Sequence, residues 1–148
     1  MKKTCQTLED TKAFAAEVAK GLHGGELVLI DGELGAGKTA FVQGMAEGLG
    51  ADTGARSPTF TVMNVYKTSH PTIRELVHLD FYRLTKPEEA AHLGLEDWLG
   101  RADTVVAAEW PPEAWPVPPG TPVIRVMIAP ERDGSRQISI ARSAAHAR

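Results

Sequence analysis

Four consecutive apolar residues, Leu27-Val28-Leu29-Ile30, run directly into Asp31-Gly32-Glu33-Leu34-Gly35-Ala36-Gly37-Lys38-Thr39, and this junction constrains the fold more than any other part of the chain. A short unbroken apolar run reads as a strand covered on both faces. From Lys38 to Leu49, residues Phe41, Val42, Met45 and Leu49 share one helical face, and Gly50 supplies a stop. Strand, glycine-rich turn and helix thus follow in the order that gathers loop N–H groups and a helix N-terminus around an anion. The spacing Gly32-x-x-x-x-Gly37-Lys38-Thr39 fits the phosphate-binding loop without a mismatch. Its glycines let the backbone turn inward, Lys38 is expected to reach the β- and γ-phosphates, and the Thr39 hydroxyl can ligate Mg²⁺. The expected nucleotide cradle is Gly32, Glu33, Leu34, Gly35, Ala36, Gly37, Lys38, Thr39 and Ala40. A turn that binds nothing is the bland alternative, and the flanking strand and helix weigh against it.

The rest of the pattern builds an α/β domain around that unit. Thr7 and Asp10 have capping-box spacing, and Phe14, Val18 and Leu22 recur every four residues, which predicts a first helix closed by Gly24-Gly25. Residues 60 to 67 and 73 to 79 read as strands, with Ser69-His70-Pro71-Thr72 as the turn of a hairpin that carries Asp80 out at its end. Thr85 and Glu88 repeat the capping spacing before Leu95, Trp98 and Leu99, predicting a short helix. Val105-Val106-Ala107-Ala108 is a buried strand ending at Glu109, and five prolines between 111 and 120 forbid regular structure. Residues 122 to 129 and 136 to 142 flank a turn at Asp133-Gly134, making a closing hairpin, and 143 to 148 are expected to fray.

A triphosphate site needs acids to hold Mg²⁺ and position water. Two carboxylates, Asp80 and Glu109, stand at ends of expected strands. Glu109 follows four apolar residues, the hydrophobic-strand-then-acid arrangement of a Walker B segment, and is favoured as the metal-side acid beside Thr39. For each, capping or pairing at a strand end is the structural alternative. Ser57-Pro58-Thr59-Phe60 places two hydroxyls where a switch segment could meet the γ-phosphate; a proline turn opening a strand explains the same residues equally well. His78 shares a strand face with Asp80 and could orient that carboxylate, whereas a lone histidine is more often structural. Arg83 could serve as a cis-acting arginine or as a surface ion-pair partner, and Trp110, before two prolines, reads as packing.

The 148 residues, 43% hydrophobic and 24% charged, suit one domain, with an ordered core expected over about 7–142. Nineteen acidic against sixteen basic residues give a net charge of −3, a poor electrostatic match for a phosphate backbone, so stand-alone nucleic-acid binding is disfavoured. Cys5 has no partner for an intramolecular disulfide. No apolar run approaches the ~18 residues of a membrane span, and polar residues follow Met1-Lys2-Lys3, so a cytoplasmic chain without membrane contact is expected. No Asn-Lys-x-Asp tetrapeptide occurs to read guanine, and Asp97-Trp98-Leu99-Gly100 falls in an expected helix rather than after a strand. A small-molecule kinase and a nucleotide-gated binding module stay open beside an ATPase.

Four blocks in order, Gly32 to Thr39, Ser57-Pro58-Thr59-Phe60, His78-Leu79-Asp80-Phe81-Tyr82-Arg83-Leu84 and Glu109-Trp110-Pro111, resemble the TsaE (YjeE) family of small bacterial P-loop ATPases over residues 7 to about 142. The resemblance implies a P-loop NTPase-like three-layer sandwich, its parallel core sheet flanked by antiparallel strands and hairpins. It implies an ATP-hydrolysing, Mg²⁺-dependent accessory subunit in the formation of N6-threonylcarbamoyladenosine at position 37 of tRNAs that read codons beginning with A. Such a subunit acts on a TsaD–TsaB complex and meets tRNA only through it. Carried over by motif, Lys38 and Thr39 become phosphate and Mg²⁺ ligands, Glu109 the second metal-side acid, Asp80 a catalytic or partner-coupled acid, and Ser57 and Thr59 switch hydroxyls. The base is implied to lie between Leu8 and Thr11, at the start of the first helix, and the turn around Asp133. Glu33, where many relatives carry Asp, and the proline-rich 111 to 119 segment depart from the family pattern.

Overall fold

The computed structural model describes residues 1–33, 35–51, 63–81, 98–110 and 117–145. Among them the elements run β1 (Lys2–Cys5), α1 (Leu8–Lys20), β2 (Leu27–Gly32), α2 (Lys38–Gly48), β3 (Met63–Lys67), β4 (Glu75–Asp80), β5 (Thr104–Glu109), β6 (Pro122–Pro130) and β7 (Arg136–Ala144). The strands form one sheet in the order β1-β7-β6-β2-β5-β4-β3. The inner strands β6, β2, β5 and β4 are parallel, while β3 pairs antiparallel with β4 on one side and β7 pairs antiparallel with both β6 and β1 on the other. This is the α/β, parallel-core arrangement with antiparallel flanks and hairpins that the resemblance implied. No helix among the described residues is long and apolar enough to cross a membrane.

Strand alternation divides the core into two layers. Val28 and Ile30 of β2, Leu76 of β4, and Val105 and Ala107 of β5 pack with Val18, Phe41, Val42 and Met45 on the face that carries both helices. The residues between them, Leu27, Leu29, Val77, Leu79, Val106 and Ala108, meet Phe81 and Leu99 on the opposite face, with Trp98, Trp110 and Val117 against them. By the same alternation His78, Asp80 and Glu109 take the helix face, at the strand ends where β2 delivers the loop into α2. After β2 the chain supplies β3, β4 and β5 on one side of it and then β6 and β7 on the other, so the loop sits at the topological switch point of the sheet.

The two helices are held at close range by glycines on α2. A Cβ on Gly44 would lie 2.3 Å from the Lys12 carbonyl oxygen, and one on Gly48 would lie 2.7 Å from that of Ala16. At the head of α1 the capping box is complete: Thr7 Oγ1 accepts from Asp10 N–H, and Asp10 Oδ2 accepts from Thr7 N–H. The helix ends at Lys20 rather than at Gly24-Gly25, because Gly21 N–H turns back to the Val18 carbonyl. Leu22 still packs in the core, just beyond the last turn.

Three further expectations are corrected. Residues 2 to 5, unread as structure in the sequence, form edge strand β1, with Cys5 fully buried. Ser143 and Ala144 do not fray: they pair with Val123 and Pro122, and Ala145 N–H donates to the Thr121 carbonyl. The second strand of the first hairpin runs over Glu75–Asp80 rather than 73 to 79, with Asp80 as its last residue. Leu34, Ser57, Thr59, Arg83 and residues 82–97, which hold most of the helix expected after Thr85, lie outside the described residues, and Trp98 and Leu99 lie in a turn.

Candidate functional site

Gly37 forms the N-cap of α2 with φ 104°, a conformation that glycine adopts without steric cost, and it brings no side-chain acceptor to the helix start. The N–H groups of the first turn are therefore offered to whatever enters beside them. Lys38, only 4% exposed, donates through Nζ to the carbonyls of Gly32 at 2.9 Å and Glu33 at 2.7 Å. Its ammonium also lies 4.5 Å from the centroid of the Trp110 ring. Burial pulls the Lys38 pKa below the ordinary 10.5, against the opposing pull of Glu109, Asp80 and Asp31.

Thr39 Oγ1 faces Glu109, donating to its carboxylate oxygens at 3.3 and 3.4 Å. Glu109 Oε2 also accepts a short hydrogen bond from His78 Nε2, and both residues are buried. His78 therefore serves Glu109, not Asp80 as its strand spacing suggested. In the β4/β5 register His78 lies opposite Ala107, one pleat before Glu109, within reach of a long side chain. Asp80 lies directly opposite Glu109 in that register.

These groups open onto a cleft of about 580 Å³ lined by Leu8, Gly35, Gly37, Lys38, Thr39, Ala40, Gln43, Asp80, Glu109, Trp110 and Arg136. The structure thus gathers Gly35, Gly37, Lys38, Thr39, Ala40, both acids and Leu8 in one place, while Gly32, Glu33 and Ala36 do not line the cleft. It does not bring Thr11 or Asp133 there. The Thr11 hydroxyl is buried against the Thr7 carbonyl, and the Asp133 carboxylate is turned onto Ser135, accepting from its N–H at 2.9 Å and its hydroxyl at 2.6 Å. Those two bonds lower the Asp133 pKa.

Three lining residues, Gln43, Arg136 and Trp110, are not marked as site residues by the sequence. Arg136 opens β7, and its Nε lies 3.4 Å from the position a Gly37 Cβ would occupy, so it reaches the loop from a strand that follows it by about a hundred residues. Trp110, whose place before two prolines suggests packing, is the one described non-glycine residue with a positive φ, 55°, and that turn carries its ring over Lys38. The residues fit a magnesium nucleotide. A hydroxyl beside a carboxylate is a hard-oxygen donor pair of the kind Mg²⁺ takes, and a lysine at an open helix N-terminus suits phosphate.

Residues 5–138 match the family model described as threonylcarbamoyl adenosine biosynthesis protein TsaE. The TsaE protein of Nostoc sp. is 38% identical over 135 residues, covering 89% of this chain and 80% of the relative. That of Rickettsia bellii is 43% identical over 103 residues, covering 69% of this chain and 68% of the relative. Both are named tRNA threonylcarbamoyladenosine biosynthesis protein TsaE. The crystal structure of Bacillus subtilis YdiB superposes with a TM-score of 0.66 at 28% identity, covering 99% of this chain and 86% of that one. With its P-loop-like fold and a family match spanning nearly its whole length, the chain belongs to the TsaE family.

Proposed function

We propose that this chain is an ATP-binding and ATP-hydrolysing accessory subunit in the formation of N6-threonylcarbamoyladenosine at position 37 of tRNAs that read codons beginning with A. It acts in the cytoplasm on a TsaD–TsaB complex and meets tRNA through that complex. One observation carries the reading: Lys38 and Thr39, at the start of α2, meet Asp80 and Glu109, at the ends of β4 and β5, in a single cleft. Membership of the TsaE family supplies the pathway.

In this reading the first-turn N–H groups of α2 and the Lys38 ammonium bind the phosphates, Lys38 exchanging its two loop carbonyls for phosphate oxygens. Thr39 and Glu109 would hold Mg²⁺, which when bound would supply positive charge to offset that of the phosphates. Asp80 contributes a second carboxylate able to accept a hydrogen bond from the attacking water. Slow turnover by the isolated chain is expected, because a charge supplied by a partner can be worth orders of magnitude in phosphoryl transfer.

The test is Mg²⁺-dependent phosphate release from ATP with and without purified TsaB and TsaD, using Lys38→Ala as the blank. Stimulation by the pair that vanishes in the Lys38 variant supports the reading. Neither binding of the pair nor stimulation, with phosphate instead passed to an acceptor other than water, would replace it with a small-molecule kinase.

A further inference from the structure

We propose that His78 is the positioning residue for the Glu109 carboxylate, fixing one oxygen from behind so that the other is presented to a cation beside Thr39. The proposal rests on the nucleotide reading above and adds to it a residue outside the phosphate loop and the acid pair. His78 is 1% exposed on a strand whose neighbours Leu76, Val77 and Leu79 are all fully buried and apolar. An imidazole there is tolerated only when its polar atoms are satisfied, and its Nε2 goes to Glu109 Oε2. Glu109 lines the cleft from a strand whose six residues are all buried, so its carboxylate has few ways to be held. Thr39 approaches from the cleft side through a hydroxyl that would itself turn to a bound cation. His78 is then the contact that keeps Oε2 engaged when Thr39 is drawn away. A second group behind a ligating side chain sets its orientation and its strength as a ligand.

The register makes the geometry specific. His78 lies opposite Ala107, whose small side chain leaves the diagonal path to Glu109 open. A side chain one bond too short on β4 leaves Oε2 unheld. Glutamine carries an amide N–H at about the reach of the imidazole Nε2, whereas asparagine does not.

The experiment is calorimetric titration of ADP into the full chain, with Mg²⁺ and with EDTA, for the wild type and for His78→Leu, His78→Asn, His78→Gln and Lys38→Ala. The quantity read is the gain in ADP affinity that Mg²⁺ confers. His78→Leu and His78→Asn are expected to cut that gain by roughly tenfold or more while leaving the EDTA affinity within about twofold, and His78→Gln to restore most of it. If His78→Leu fails to fold, the Asn and Gln pair decides the question through side-chain length alone. An unchanged Mg²⁺ gain in His78→Asn overturns the proposal and leaves the nucleotide reading standing. So does an equal loss with and without Mg²⁺ that glutamine does not rescue, which marks His78 as a packing residue. Wild-type ADP binding that is absent, or no different from Lys38→Ala, overturns the nucleotide reading and this proposal with it.

Discussion

The Thr39 hydroxyl stands 3.3 Å from Glu109 Oε2, although seventy positions separate the two residues in sequence. Parallel pairing of β2 with β5 creates this contact, since Ile30 lies opposite Glu109 and the chain needs only the loop to reach Thr39. Replacing Glu109 by glutamine keeps the shape and an acceptor for Thr39 but removes the charge. We expect Glu109→Gln to raise the Mg²⁺ concentration needed for half-maximal ADP binding by about tenfold or more, with EDTA affinity preserved. Calorimetry at graded Mg²⁺ checks this, and an unshifted midpoint would remove Glu109 from the metal side.

Lys38 predicts a pH dependence with a definite sign. Burial sets its pKa below the usual 10.5, and phosphate binding takes the charged form. Nucleotide affinity is then full below the pKa of the free site and falls as pH rises through it, starting earlier than an exposed lysine would allow. Stability moves the other way: between the folded and unfolded pKa values the unfolded chain binds more protons, so stability rises with pH across that window. ADP affinity followed through the alkaline range should fall for the wild type and stay flat for Lys38→Arg, whose guanidinium keeps its proton. A wild-type profile flat up to 10.5 would contradict the assignment.

Much of this was legible in the sequence because it is local. The Thr7 and Asp10 cap, the strand-loop-helix unit and both hairpins depend on residues a few positions apart, where periodicity and turn chemistry act directly. Pairings between distant strands carry no such mark. β1 has three exposed residues and one buried, with no apolar alternation, and exists because the edge of β7 is open to it. The partner of His78 depended on β4 lying beside β5, which strand spacing alone does not reveal. Arg136 reaches Gly37 only through the sheet order, and Trp110 turns over Lys38 through a backbone conformation that its residue type disfavours.

The contact between α1 and α2 links stability to the site. A methyl group on Gly44 would sit 2.3 Å from Lys12 O and 2.6 Å from Lys12 Cα, both backbone atoms that cannot swing aside. Alanine gains about 1 kcal/mol of helix propensity, but overpacking of this kind costs roughly 1–3 kcal/mol, so a net loss of up to about 2 kcal/mol is expected for Gly44→Ala. Because α1 begins at Leu8 and α2 at Lys38, parting the helices also widens the cleft they share. Urea denaturation and ADP affinity should both weaken, and a variant as stable as the wild type would show that the helices have room to separate.

Arg136 tests whether the far strand contributes to nucleotide binding. Its side chain packs over Gly37, and among the described residues it adds a cation to a cleft that otherwise draws positive charge from Lys38 and the head of α2. A charged hydrogen bond to an anion contributes about 1.5–3 kcal/mol, so Arg136→Ala should weaken ADP binding by roughly tenfold or more. Lysine at this position restores charge without the planar fork and should recover only part of the loss. The Mg²⁺ gain should be unchanged in both variants, because Arg136 packs over Gly37, whereas Thr39 meets Glu109. A loss of that gain in Arg136→Ala would mean that the guanidinium orders the loop as a whole, and equal affinity in all three proteins would make it a packing residue.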